Sequence, residues 1–276
     1  MNATTTESAR QAWNAIAADY DRRITDANRV LAHDALDRVH IDDGTRLLDV
    51  AAGTGALSLA AARRGARVTA VDLSPVMVER LLERARSEGH DDLEALAMDG
   101  YALELGDDSF DVVGSQFGVM LFADLPAGLA EMVRVTRPAG QVLMVTMGAM
   151  PPELEFLGFF LGAVEAVAPD LPSPFAGGPP PELQVADPTV LQRRMSEAGL
   201  SEVTVETIDH PLRFESGADH WDWITSSNPV GRSIVAGLSE AQGEEVRRVL
   251  DGMLRERATQ GDGLLHNPVN VAVGTK

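Results

Sequence analysis

The stretch of sequence that decides the fold is LDVAAGTGAL, residues 48–57. Residues 46–51 form a short apolar run of the kind found in strands buried in a parallel sheet, and residues 56–64 are typical of a helix ended by Gly65. Gly53 and Gly55 lie in the tight loop between them, where glycine allows positive φ and brings bare backbone close to a ligand. The segment therefore predicts a strand–loop–helix unit that binds a ligand at the end of a strand.

Alternating strand and helix patterns extend outward from this unit. Strands are predicted at 67–72, 93–98, 110–115 and 141–146, with helices at 75–87 and 125–135 and a turn at 137–140. This alternation predicts an α/β protein with a parallel, doubly wound sheet. Residues 1–38 have a helical pattern, and the later segments predict helices at 154–167, 188–198, 217–227 and 240–259 and strands at 202–208 and 269–274.

Three acidic residues accompany the first three predicted strands: Asp49 lies inside the first, Asp72 ends the second and Asp99 follows the third. Asp49 precedes the glycine loop and can form an ion pair with a positively charged amine, whereas it would repel a dinucleotide phosphate. Asp72 can accept hydrogen bonds from two ribose hydroxyls, and Asp99 from an adenine amino group while Met98 packs on the ring. The third glycine of a dinucleotide fingerprint would fall at Ser58. The pattern therefore favours a cationic nucleoside over NAD.

Composition limits the partners of the chain. The 276 residues include 23 basic and 42 acidic side chains, a net charge of −19, so we expect no nucleic-acid partner. Cysteine is absent, which excludes disulfides and thiolate metal sites, and we expect no bound metal. No apolar run is long enough to span a bilayer and no signal-peptide pattern begins the chain, so we expect no membrane partner and a cytoplasmic location. A homodimer is compatible with the sequence.

Several stretches together resemble the class I S-adenosylmethionine-dependent methyltransferases, and among them the group that includes the ubiquinone/menaquinone-biosynthesis C-methyltransferases. The resemblance covers about half of the chain in the family's order. Its first glycine-loop position is Ala51 here, a departure compatible with the family. The stretches are WNAIAADYD at 13–21, LLDVAAGTG at 47–55, VDLSPVM at 71–77, MDG at 98–100, FDVVGSQFGVMLF at 110–122 and MVRVTRPAG at 132–140.

This resemblance implies a Rossmann-like sheet of seven strands, mostly parallel with an antiparallel last strand, and a helical cap. It also implies S-adenosylmethionine as cofactor and S-adenosylhomocysteine as product. By the same resemblance, Tyr20 belongs to a lid over the cofactor, and Gln116 and Phe117 line the floor beneath the sulfonium. The other residues implied are Asp49, Ala51, Gly53, Thr54 and Gly55 for the methionine end, Asp72 and Leu73 for ribose, and Met77, Met98, Asp99 and Gly100 for adenine.

The chain reads as a single methyltransferase domain over residues 1–276. We expect a helical lid at 1–40, a cofactor-binding half at 41–149, cap insertions for the substrate at 150–187 and 215–266, and a helix and strands completing the sheet at 188–214 and 267–276. The insertions predict an apolar cavity for a small-molecule methyl acceptor. Their aromatic residues are Phe156, Phe159, Phe160, Phe175, Trp221 and Trp223, of which Phe156, Phe160, Trp221 and Trp223 are the candidate substrate contacts.

The sequence assigns no catalytic residue. Methyl transfer needs alignment more than covalent help, and a base only where the acceptor must lose a proton. His33 and His220 are the two histidines that could face the acceptor, although neither is assigned a catalytic role. The predicted reaction is methylation of carbon or oxygen on an apolar or aromatic metabolite. A non-catalytic adenosylmethionine-binding protein and an NAD-dependent oxidoreductase are the alternatives.

Overall fold

The computed structural model describes residues 3–172, 180, 183–227 and 229–276. The irregular segment predicted at 169–181 lies partly outside this part of the chain, and Phe175 within it lies wholly outside. The strands are β1 Arg46–Val50, β2 Arg67–Asp72, β3 Glu94–Ala97, β4 Phe110–Gln116, β5 Thr136–Met147, β6 Ser201–Asp209 and β7 Pro268–Thr275.

Helices precede, connect and cap these strands. They are α1 Ala3–Arg23, α2 Thr25–Leu36, α3 Ala56–Ala62, α4 Pro75–Ser87, α5 Leu125–Val135, α6 Glu155–Val167, α7 Pro188–Glu197, α8 Gly217–Ser227, α9 Pro229–Val235 and α10 Glu240–Gln260. The sequence patterns predict helical structure for each of these segments except α9, and they also miss the 3₁₀ turn at Val119–Leu121.

All seven strands form one sheet in the order β3-β2-β1-β4-β5-β7-β6. Neighbours from β3 to β5 are parallel, and β7 is antiparallel to both β5 and β6. The seven-stranded sheet with an antiparallel last strand, implied by the resemblance, is therefore confirmed. The strand order reverses between β1 and β4, and ligands of such sheets bind outside the carboxyl ends of the strands at that point.

Apolar side chains cover both faces of the sheet because neighbouring residues of a strand point to opposite sides. Leu47 and Val112 pack on one face with apolar residues of α2, α3 and α4. Leu48 and Val113 pack on the other face with residues of α5 and α7. The two layers hold the carboxyl end of β1 and the glycine loop that follows it in a fixed position.

The predicted turn at 137–140 is wrong. Those residues belong to β5, and the pairing of β4 with β5 passes from Phe110–Thr136 to Val112–Gln141. Residues 137–140 therefore form an irregularity within β5, and Ala139 among them has a φ of 58°. Asp111 stabilises it by accepting a hydrogen bond of 2.6 Å from Arg137.

Ion pairs connect the N-terminal helix α1 to two other parts of the fold. Asp21 accepts from Arg84 of α4, which covers the sheet. Arg23 donates to Asp222 of α8 at 2.7 Å. Helix α1 therefore lies between the sheet layer and the cap helices. None of the helices described is long and apolar enough to cross a membrane.

Candidate cofactor and acceptor site

The loop after β1 is built around glycine and one carboxylate. Gly55 has a φ of 92°, and a Cβ there would lie 2.7 Å from Leu81 Cγ, so conformation and space both require glycine. The Asp72 carboxylate accepts from the Gly53 N–H and from the Ser74 N–H, each at 2.8 Å. Asp72 at the end of β2 therefore fixes the shape of the loop and the start of α4.

This loop opens into a cavity of about 150 Å³ at the carboxyl ends of the parallel strands. Carboxylates of β1 and β2 and of the segment after β3 meet there because the three strands are parallel and adjacent. The residues predicted for the cofactor that line it are Tyr20, Asp49, Ala51, Gly53, Asp72, Leu73, Met77, Met98, Asp99, Gly100, Gln116 and Phe117.

Thr54 and Gly55 are not part of that lining. The Thr54 side chain is buried, and its hydroxyl pairs with the Thr25 hydroxyl of α2. Gly55 precedes the first residue of α3 and packs against Leu81. Both residues therefore shape the loop from behind the cavity lining, and their assignment to the methionine end stays a prediction.

Two acceptor oxygens in the cavity are buried without a hydrogen-bond partner among the described residues. Ser58 donates to Asp49 Oδ2 at 2.6 Å, but Asp49 Oδ1 has no donor. Gln116 Nε2 donates to the Asn28 carbonyl at 2.8 Å, but Gln116 Oε1 has no donor. Since unpaired buried oxygens cost free energy, the pair fits a ligand that brings N–H donors and positive charge. An ammonium group, as on a methionine moiety, meets both requirements.

Burial raises the pKa of Asp49 to about 7, and the negative charge of Asp72 adds to the increase. A cationic ligand favours the ionised carboxylate, so its binding releases a proton when the pH is below about 7. We expect the affinity for S-adenosylmethionine to decrease by up to about tenfold per pH unit as the pH falls below that value. Calorimetric titrations between pH 6 and 8.5 measure this dependence.

The Asp49→Asn variant is the control for this prediction, because the amine of the ligand titrates equally against both proteins. Wild type and variant are expected to differ most at high pH and to converge as the pH falls. A constant difference in affinity over the whole range would contradict the assigned role of Asp49.

Several lining residues were not predicted from the motifs. Trp13 of α1 and Asn28 of α2 reach the cavity, as do Tyr101 and Phe122, whose ring centroids are 4.5 Å apart. Trp13 lies seven residues before Tyr20, a spacing that places both side chains on one face of α1. That spacing was the signal available in the sequence. Phe122 had no such signal, because it follows a 3₁₀ turn that no pattern predicts.

A second cavity of about 130 Å³ adjoins the first. Its lining is mostly apolar and comes from the cap helices, the ends of β5 and β7, and the two N-terminal helices. Both cavities are lined by Trp13, Tyr20, Asn28, Phe117 and Leu121. A ligand in either cavity therefore contacts the same wall.

Of the four candidate substrate contacts, Phe156 and Trp223 line this second cavity. Phe160 and Trp221 do not, which corrects their prediction. Both are buried in the core of the cap, with ring centroids 6.0 Å apart and with Val246 of α10 in the same cluster. These two rings hold α6, α8 and α10 together.

The histidines are also placed differently from the prediction. His33 lines neither cavity. His220 is fully buried, stacks on Phe214, and its Nε2 lies 2.7 Å from the Phe156 carbonyl oxygen. Burial lowers the pKa of His220 to about 4, so the ring is neutral and structural. His210, which follows β6, is the histidine that lines the apolar cavity.

Comparison with known proteins agrees with this geometry. Residues 48–144 match the methyltransferase domain family. A demethylmenaquinone methyltransferase of Mycobacterium sp. strain KMS is 31% identical over 202 residues, which are 69% of this chain and 84% of that protein. The chain spans about half the length of other curated relatives that it matches at 40–41% identity.

Solved structures share the fold. The YcgJ protein of Bacillus subtilis has a TM-score of 0.58 at 17% identity, with 91% of this chain and 97% of that chain covered. A phosphoethanolamine N-methyltransferase of Haemonchus contortus, solved with S-adenosylhomocysteine, has a TM-score of 0.54 at 18% identity, with 89% and 52% covered. These structures show the shared fold, while the family match and the mycobacterial relative place the chain in the S-adenosylmethionine-dependent methyltransferase family.

Proposed function

We propose that this chain transfers the methyl group of S-adenosylmethionine to a carbon or oxygen atom of an apolar or aromatic small molecule. The observation that carries the proposal is the wall shared by the two cavities, formed by Tyr20, Asn28 and Phe117 among others. The first cavity has the carboxylates and unpaired oxygens that a cationic nucleoside requires. The second has the apolar lining that an aromatic metabolite requires.

The residues of the first cavity would bind the cofactor by charge and hydrogen bonding. Asp49 and Gln116 would accept from the ammonium group, and Asp72 would accept from the ribose hydroxyls while it holds the loop. Asp99 would accept from the adenine amino group, with Met98 packed on the ring. Bound in this way, the cofactor would supply an electrophilic methyl carbon on its sulfonium.

The lid and the cap would align the acceptor and exclude water. Trp13 and Tyr20 of α1 line both cavities, while Phe156 and Trp223 line the acceptor cavity. Burial raises the pKa of Tyr20 to about 12, so its hydroxyl stays protonated and can only donate or accept a hydrogen bond. Alignment of the reacting atoms in a site closed to water can lower the activation free energy by several kcal/mol, as it does in intramolecular reactions.

The curated relatives include demethylmenaquinone methyltransferases, and these names support a quinone-like acceptor. The mostly apolar lining of the second cavity agrees with such a molecule. The strongly acidic surface disfavours a nucleic-acid acceptor.

Two measurements test the proposal. Separate calorimetric titrations with S-adenosylmethionine and with NAD are expected to show binding of the first alone. Incubation with methyl-labelled S-adenosylmethionine and a panel of quinols, phenols and polyketides is expected to label at least one apolar acceptor. Tight binding of NAD without binding of S-adenosylmethionine would overturn the proposal, and binding without labelling of any acceptor would favour a non-catalytic protein.

A further inference from the structure

His210 is placed to take part in the reaction, if the chain has the proposed function. His210 directly follows β6, which is antiparallel to β7 and therefore runs in the same direction as β1, β4 and β5. It lies at the edge of the sheet where the cofactor loop lies. Its N–H donates to the Asn267 carbonyl at 2.9 Å, and its carbonyl accepts from Asn267 Nδ2 at 3.1 Å. Hydrogen bonds on both sides thus fix the backbone that directs the imidazole.

The side chain of His210 lines the acceptor cavity, and its Nε2 atom is buried with no hydrogen-bond partner among the described residues. No residue in the described part of the chain pairs with this atom, whereas Asn267 beside it makes hydrogen bonds with both of its side-chain polar atoms. A buried polar atom without a partner costs about 1–3 kcal/mol and calls for a ligand or a chemical role.

His210 is also the one group described in this lining that can exchange a proton near neutral pH. The other titratable residue, Tyr20, stays protonated because of its raised pKa. Burial lowers the pKa of His210, and the negative charges of Asp209 and Asp34 only partly oppose that decrease. The imidazole is therefore neutral at neutral pH and can accept a proton.

We propose that His210 is the general base of the reaction and that the methyl acceptor carries an acidic hydroxyl, as in a phenol or enol. The hydroxyl proton passes to Nε2 of His210. The acceptor oxygen forms a bond to the methyl carbon, the bond between that carbon and sulfur breaks, and its electron pair stays on sulfur. The products are a methyl ether, neutral S-adenosylhomocysteine and an imidazolium, which returns its proton to solvent.

The test compares the full chain with its His210→Gln variant on two phenols. 1-Naphthol is protonated at neutral pH and needs a base, whereas 4-nitrophenol at pH 9 is already ionised and needs none. We expect His210→Gln to lose about 10²–10⁴-fold in kcat with 1-naphthol at pH 7 and less than about tenfold with 4-nitrophenol at pH 9. The KM for S-adenosylmethionine is expected to stay constant.

The control variant is His40→Gln, since His40 is exposed, pairs with Asp42 and lines neither cavity. It is expected to keep both rates. If His210→Gln lost activity equally with both phenols, His210 would have a structural role. If it lost no activity, His210 would have no role in the reaction. Either result overturns the inference.

Failure of the wild-type chain to methylate either phenol also overturns the inference. If that protein methylates another acceptor of the panel, the proposed methyltransferase function stands without His210 as base. If it binds no S-adenosylmethionine at all, the proposed function fails as well, so the two failures are distinguishable.

Discussion

Replacing Asp72 with alanine is expected to weaken the binding of S-adenosylmethionine by about 2–4 kcal/mol, or roughly 30-fold to 1,000-fold in Kd. The variant loses the acceptor that we propose for the ribose hydroxyls. It also loses the acceptor of the Gly53 and Ser74 N–H groups, which are each 2.8 Å from the carboxylate and hold the loop in shape. Calorimetric titration of the variant, with its thermal unfolding measured in parallel, gives both effects.

The matched control is Asp72→Asn. Its amide keeps one acceptor oxygen for the loop but brings a donor to the other side, so an intermediate loss of affinity is expected. Wild-type affinity in Asp72→Ala would remove this residue from the cofactor site and leave it only a role in the loop.

Replacing Phe160 with alanine is expected to lower the free energy of unfolding by about 3–5 kcal/mol. The ring is fully buried in the core of the cap and packs against Trp221 and His220, with centroid distances of 6.0 and 6.5 Å. Its removal leaves a cavity between α6, α8 and α10. Denaturant unfolding of the full chain measures the loss.

Phe156→Ala is the comparison, because Phe156 is half-buried and lines the acceptor cavity. We expect this variant to lose less stability than Phe160→Ala and to raise the KM for the acceptor. If instead Phe160→Ala left the stability unchanged and altered only the acceptor KM, Phe160 would belong to the cavity wall after all.

The cofactor half of the fold could be predicted from the sequence because its signals are local. The helices at Pro75–Ser87 and Leu125–Val135 have the predicted bounds, since Ser74 and Asp124 cap them with side-chain hydrogen bonds and proline lies in the first turn of each. Asp49 and Asp72 meet in one cavity because adjacent parallel strands end at the same edge. Neither inference needed knowledge of distant contacts.

The predictions of substrate contacts fail where long-range packing decides which side chains face the cavity. Trp221 and Trp223 are two residues apart on α8, so their side chains point to nearly opposite sides of the helix and could not both face the acceptor. This signal was available in the sequence. Phe156 and Phe160 offered no such signal, because they share one face of α6 and it is the packing of α8 and α10 that buries Phe160.

His210 was missed for a different reason. Its place at the functional edge follows from the direction of β6, which only the pairing with β7 reveals. Thr54 illustrates the opposite case: the motif contains it, but Thr25 of α2 takes its hydroxyl away from the cavity. Which side chains of a motif face a ligand depends on helices that lie elsewhere in the sequence.

A crystal structure of this chain with S-adenosylhomocysteine is the most direct measurement. The proposed cofactor site predicts the ribose hydroxyls within hydrogen-bond distance of the Asp72 carboxylate and the amino group against Asp49 Oδ1 and Gln116 Oε1. The homocysteine sulfur should face the wall at Phe117 that both cavities share. A ligand bound outside this cavity, or one whose ribose and amine contact none of these oxygens, would contradict it.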